Sequence, residues 1–517
     1  MAHSLVGLVI HYCPGRREDP SDETSYLGTL MVQIKLKLLG LVGACLVFPG
    51  LALAADRYAE LSACELSAAG GRLTVQARCG TFEVPENPRQ PEGRAIELAY
   101  AVVPARSSRA QPDPIFFLAG GPGQSARDAA PIMRAALRHV NRDRDLIFLD
   151  QRGTGGSNVL DCDFDHMTDL LEQDYAAVNR QLRECQSGWD ADVRFYTTEI
   201  AAIDLEAMRQ RYGFEQVNLI GGSYGTRMAQ VYLRRHPDRV RSMVIDGVVP
   251  TRLRLGAEHG IKLDQTLYRL FDACTADADC ARAFPDLERA FEVLVDHYSD
   301  NGQPLSVTHP RTGEAVDLTF NRDFLASGLR FLAYAPQTQM VIPYLVHEAA
   351  TTGDPSRLAS QALMVTEQMG DMIAIGLNFA VGCAEDWPTW PRDLDQSHTL
   401  LGDAMLEFYD MVCAWWPRGE VPDDFHQPFD PGTPTLILSG EFDPVTPPEY
   451  GEEAARQFAN SRHLVGNGLG HIVSTHPCFS RIISQFVDSL ELDELNTDCL
   501  EQLGPEPFFI NLLGPAP

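Results

Sequence analysis

The chain has 517 residues, 44% of them hydrophobic and 22% charged, and its 71 acidic side chains outnumber 42 basic ones for a formal charge of −29. An apolar fraction near the globular average excludes a largely disordered chain, and so negative a surface excludes a nucleic-acid backbone as the partner. Only three of the basic residues are lysines, Lys35, Lys37 and Lys262.

Two of those lysines open a short segment with the three parts of a secretory signal. MVQIKLK from Met31 precedes LLGLVGACLVF, a Pro49-Gly50 break and LALAA, with an A-x-A site at Ala52 and Ala54. The segment 31–55 therefore reads as a signal peptide and 1–30 as an upstream extension without function. The apolar run is short and broken for a membrane span. A second alternative is a lipid anchor on Cys45, since VGAC resembles a bacterial lipobox. Removing 1–55 leaves ten cysteines in close sequential couples, which points to local disulfides in an oxidising, periplasmic or extracellular compartment. Pairing in order would give 64–79, 162–185, 274–280, 383–413 and 478–499. Their spacing does not suggest zinc.

Short β-rich pieces from about Cys64 to Ala101 predict an antiparallel meander. Next come apolar strand-like runs that each end in a glycine-rich turn: PIFFL into AGGPGQS, DLIFL into DQRGTGGS, VNLI into GGSYGT, SMVID into GVVP. Helical patterns such as EIAAIDLEAMRQRYGF lie between them, so the runs read as βαβ units of a parallel sheet. Chemistry in such sheets gathers at the carboxyl ends of the strands. The stretch 251–425 is mostly helical and breaks the rhythm as an inserted lid between core segments 56–250 and 426–517. Strand-and-turn alternation resumes with TPTLILSGEFDPVTPP and SRHLVGNGLGHIVS.

Gly221-Gly222-Ser223-Tyr224-Gly225 is a G-x-S-x-G placed after an apolar strand and before a helix. Small residues on both sides of the serine permit the sharp strand-to-helix turn that exposes its Oγ. A serine hydroxyl needs a base, and the base needs a carboxylate to orient it. Asp443 follows the strand LILSG, and His471 lies in the turn after RHLVG; Glu441 competes for the acid and His463 and His476 for the base. Oxyanion donors are expected from the N–H groups of Tyr224 and of Gly121 in the Gly120-Gly121-Pro122-Gly123 loop. That loop also fits a dinucleotide fingerprint. Pro122 lacks the N–H that a pyrophosphate would use, so no cofactor and no metal is expected.

GGPGQS, DQRGTGGS, GGSYGT, GEFDPVTPP and GLGH, in this order, resemble the prolyl iminopeptidase and tripeptidyl aminopeptidase branch of the α/β-hydrolases. The resemblance implies an α/β-hydrolase fold, a mostly parallel sheet flanked by helices, with an inserted helical lid. It also implies a secreted serine exopeptidase that takes peptides with a free N-terminus and uses Ser223, Asp443 and His471. Ala119 stands where related iminopeptidases carry a histidine before the glycines. A cationic substrate amine calls for a buried carboxylate, and Glu385 and Asp386 in GCAEDW are the candidates. Two other readings share these residues: an esterase working through the same acyl-enzyme, and a non-catalytic binding module.

Overall fold

The computed structural model describes residues 57–68, 71–162, 164, 175–299 and 302–515. The signal segment and Cys45 lie outside them. Nine strands form one sheet in the order β1-β2-β3-β5-β4-β6-β7-β10-β11. The expected meander is its antiparallel side: β1 (Ser62–Ser67), β2 (Thr74–Pro85) and β3 (Ala95–Val103), with β3 antiparallel to β5 (Leu146–Leu149). From β5 onward every pairing is parallel, through β4 (Ile115–Leu118), β6 (Val217–Gly222), β7 (Val240–Asp246), β10 (Thr435–Gly440) and β11 (Ser461–Gly466).

Strands β4, β5, β6 and β10 are buried at every residue because helices cover both faces of the sheet, which is why they read as unbroken apolar runs. One face packs Phe116, Leu219, Met243 and Ile437 against the helices Thr198–Arg211 and Tyr224–Arg235. The other packs Phe117, Phe148, Val244 and Leu438 against Ala126–Ala136 and Pro477–Ser489.

Between β7 and β10 the chain leaves the sheet and builds a helical layer, with a core of its own around Leu267, Phe271, Phe291, Phe324, Leu329 and Leu363. This layer also contains a hairpin that the sequence reading treated as helical context, β8 (Gln303–Thr308) and β9 (Ala315–Phe320). Its strands do alternate, with Leu318 and Phe320 buried on either side of an exposed Thr319, but each is only six residues long and stands among long helical stretches. The ten described cysteines form five disulfides, paired in order along the chain. No helix among the described residues is long and apolar enough to cross a membrane.

Candidate active site

Adjacent parallel strands bring the candidate residues together, since β6, β7, β10 and β11 are consecutive in the sheet and end in register. Ser223 follows β6 with φ 54° and ψ −126°, a left-handed conformation costly for a residue with a Cβ. The surroundings leave it no alternative. A Cβ on Gly225 would lie 2.1 Å from the Leu118 carbonyl oxygen, so the helix Tyr224–Arg235 begins hard against β4. The Ser223 N–H donates to the Asp246 carbonyl at 2.9 Å, tying the turn to the end of β7.

Asp443 is fully buried after β10, and its carboxylate is saturated with donors. Oδ1 accepts the N–H groups of Val445 (2.9 Å) and Thr446 (2.8 Å), while Oδ2 accepts the Thr446 hydroxyl and His471 Nδ1, each at 2.8 Å. Burial pushes the Asp443 carboxyl up, but the His471 charge and these hydrogen bonds outweigh it and hold it below the usual carboxylate range. For His471 burial acts downward, and the Asp443 carboxylate overcomes it, so the imidazole stays above its ordinary value. A carboxylate only accepts, so His471 carries its proton on Nδ1 and presents Nε2 as the free base.

The competitors are engaged elsewhere. Glu441 accepts the Gly468 N–H at 2.7 Å, His463 meets Ser439 Oγ at 2.9 Å within the sheet, and His476 caps the helix Pro477–Ser489.

Sequence reasoning missed Asp246. Its buried carboxylate accepts the N–H groups of Val473 (3.1 Å) and Ser474 (2.7 Å), so one residue holds both the Ser223 turn and the loop after His471. The His471 ring lies over Gly247, where a Cβ would come within 3.1 Å of Cε1. Thr446 was missed as well. The signal for both was present: a carboxylate at the end of a third strand before glycine, and a D-x-x-T turn, the local pattern by which an Asp collects backbone donors.

In the glycine loop after β4, Gly120 donates its N–H to Gln124 Oε1 at 3.1 Å, and a Cβ on Gly120 would sit 3.1 Å from Ser223 Cβ. Gly121, the expected donor, follows it in the same loop. Tyr224 is the first residue of its helix, so its N–H is one that a helix leaves without an internal partner. Asp150 of DQRGTGGS fixes the loop from behind by accepting from Ser125 Oγ (2.8 Å), Arg127 N–H (3.0 Å) and Gly156 N–H (3.0 Å).

The helical layer is fastened to the site loops. Thr266 Oγ1 donates to the Asp443 carbonyl (3.0 Å), Gln339 Nε2 to that of Phe442 (2.9 Å) and Asn378 Nδ2 to that of Pro122 (3.2 Å), and the His471 N–H donates to the Tyr334 carbonyl (2.8 Å).

Glu385 and Asp386, expected to meet a substrate amine, are both deeply buried. They are 1% and 0% exposed, in a π-helical turn over Gly382–Asp386. Arg227 is the Asp386 counter-ion, with two hydrogen bonds at 2.8 and 2.9 Å, and the Leu255 N–H takes a third position. An amine would have to displace that guanidinium. Glu385 accepts from Thr198 N–H (2.6 Å) and Thr198 Oγ1 (2.8 Å), and Thr198 Oγ1 meets the Tyr224 hydroxyl at 2.6 Å. Burial raises the Glu385 carboxyl to about 8 despite Arg227 nearby. Its connection is inward, to the residue that follows Ser223.

Comparison with known proteins agrees with this architecture. Residues 113–290 match the alpha/beta hydrolase fold model and residues 398–499 the model described as TAP-like protein. The chain is 26% identical over 506 residues to the serine protease Hip1 of Mycobacterium tuberculosis, covering 89% of this chain and 94% of that protein. It is 25% identical over 500 residues to a tripeptidyl aminopeptidase of Streptomyces lividans, covering 89% and 90%. A shorter match, 28% over 136 residues, joins 26% of the chain to 32% of a proline iminopeptidase of Neisseria gonorrhoeae. Fold and matches together make this chain an enzyme of the α/β-hydrolase class, a serine hydrolase with a TAP-like C-terminal segment.

Proposed function

We propose that the chain is an exported serine exopeptidase that cleaves peptides near a free N-terminus. The observation that carries this reading is the Asp443–His471 pair at 2.8 Å, set in the turns after β10 and β11, with only β7 between them and β6, the strand that leads into Ser223. In it, His471 Nε2 takes the Ser223 proton as Oγ attacks the scissile carbonyl, and Asp443 stabilises the imidazolium that forms. The N–H groups of Gly121 and Tyr224 meet the oxyanion. His471 then returns the proton to the departing amine, and water, activated by the same imidazole, releases the acyl group. No step calls for a metal or cofactor.

The peptide substrate is supported by the names of the relatives, a serine protease and a tripeptidyl aminopeptidase. Export is supported by the five disulfides and by the signal pattern at 31–55, with the mature enzyme divided as 56–250, 251–425 and 426–517. The test is a digest of a defined peptide mixture by the secreted protein, read by mass spectrometry, with Ser223→Ala as control. Release of single residues or tripeptides from free amino termini, lost in Ser223→Ala, is the expected result. Internal cleavage, or equal cleavage of N-acetylated peptides, would replace the exopeptidase reading. Absence of fluorophosphonate labelling at Ser223 would remove the serine mechanism.

A further inference from the structure

Arg330 stands half-buried in the last turn of the helix Arg322–Leu332. Four residues on, Tyr334 lays its ring against the His471 ring at a centroid distance of 5.0 Å and accepts the His471 N–H on its carbonyl. The Arg330 guanidinium reaches His259 Nδ1 at 3.4 Å and acts electrostatically on Tyr334, Tyr409 and His471. This shell is made of aromatic and imidazole groups. No carboxylate among the described residues lies within ion-pair distance of Arg330. Other arginines of the helical layer are matched: Arg269 with Glu449, Arg311 with Glu367, Arg357 with Glu348, and Arg322 with the carbonyls of Leu400 and Thr399.

A half-buried guanidinium without an anion is costly to keep, and costlier beside a histidine that must become a cation during turnover. The positive charge of Arg330 opposes protonation of His471. Both costs vanish when an anion arrives with the substrate. A planar fork of N–H donors fits a carboxylate in two-point contact.

We propose that Arg330 binds a carboxylate of the substrate, so that the enzyme prefers peptides bearing an acid group within reach of the site. The group is either the C-terminal carboxylate of a short peptide or the side chain of Asp or Glu; the chemistry at Arg330 is the same. This rests on the reading of Ser223 and His471 as nucleophile and base. It also gives the bound acid a second effect: the neutralised guanidinium no longer resists the imidazolium, so kcat rises with affinity.

The experiment compares kcat and KM for short free-amine peptides in four forms: free acid, C-terminal amide, and each with Glu or Gln at an internal position. For the wild-type enzyme one acid form is expected to exceed its amide about ten- to a hundredfold in kcat/KM, the range of a charge-assisted hydrogen bond. The free-acid arm identifies the C-terminus and the Glu arm a side chain. Arg330→Gln is expected to bring that ratio close to unity, and Arg330→Lys to retain part of it. Equal rates for acids and amides in the wild type, which need no variant, overturn the proposal. So does an Arg330→Gln enzyme that loses activity on all four peptides in equal proportion. If Ser223 is labelled by fluorophosphonate yet no peptide is cleaved, the exopeptidase reading fails instead. Arg330 is then judged by the same ratio on an aryl hemisuccinate against its methyl-capped diester.

Discussion

Thr446 and His471 share one oxygen of Asp443, each at 2.8 Å. The hydroxyl competes with the imidazole for the negative charge that makes His471 basic, and it fixes the carboxylate in the plane the ring needs. Thr446→Val keeps the shape and removes the donor. The loss of one hydrogen bond to a buried charge predicts a fall of about 1.5–3 kcal/mol in stability. With one donor fewer, Asp443 is more basic and the His471 titration moves up. Denaturant unfolding and kcat across pH in both proteins check the two effects; an unchanged profile would leave Thr446 a packing role.

The acid limb of catalysis follows from His471. A general base works only when neutral, and the Asp443 carboxylate holds this imidazole above its ordinary value. Activity is therefore full at alkaline pH and falls as pH drops through a pKa higher than that of a free histidine. The kcat/KM profile of the wild type reads it directly. An inflection below the free-histidine value would contradict the geometry.

Asp246 bridges two loops that sequence separates by some 250 positions, holding the Ser223 turn with its backbone carbonyl and the loop after His471 with its side chain, so a side-chain replacement should disturb the second. Asn at 246 offers one acceptor and one donor where two N–H groups, those of Val473 and Ser474, now point at acceptors. One buried N–H loses its partner, at a cost of about 1–3 kcal/mol in stability. The His471 loop loosens at the same time. Denaturant unfolding and the rate of fluorophosphonate labelling should fall together in Asp246→Asn; a change in stability alone would confine the residue to the fold.

Glu385 gives a stability prediction with a definite sign. Its carboxyl is raised to about 8 in the folded chain, above its unfolded value, so the folded state holds a proton that the unfolded state has lost. Stability is then greatest below the unfolded pKa and declines as pH rises toward 8. Glu385→Gln mimics the protonated acid and should flatten that decline. Unfolding midpoints of the two proteins should converge near pH 5 and separate by pH 8; parallel curves would mean that Glu385 is ionised throughout.

The sheet was legible because its strands are buried on both faces. Runs such as IFFL and LILSG have few other readings, and their order with the glycine turns placed Ser223, Asp443 and His471 at neighbouring strand ends. The five disulfides were legible for a similar local reason, as couples close in sequence. The residues that sequence hid work through distant partners. Nothing near Asp246 announces that it will hold Val473, and Thr446 is an ordinary turn threonine until His471 arrives beside it. Glu385 and Asp386 were found as a carboxylate pair, but their partner Arg227 lies about 160 positions earlier, in the helix that starts behind the nucleophile. An acidic pair next to a tryptophan looks the same whether it waits for a substrate or is already matched.

The five disulfides each close a short loop, from 6 to 30 residues in sequence. Cys274–Cys280 and Cys383–Cys413 lie wholly between β7 and β10, and the other three lie wholly outside that stretch. Among the described residues no disulfide therefore runs from the helical layer to the sheet. Oxidation stiffens each part within itself and leaves the seam between them to non-covalent contacts: hydrogen bonds such as those from Thr266, Gln339 and Asn378, the Arg227–Asp386 pair, and the packing of Leu377 and Phe379 into the core of the sheet. A shift of one part against the other therefore breaks no bond of the chain, while the Ser223 turn and the His471 loop stay anchored to the same end of β7.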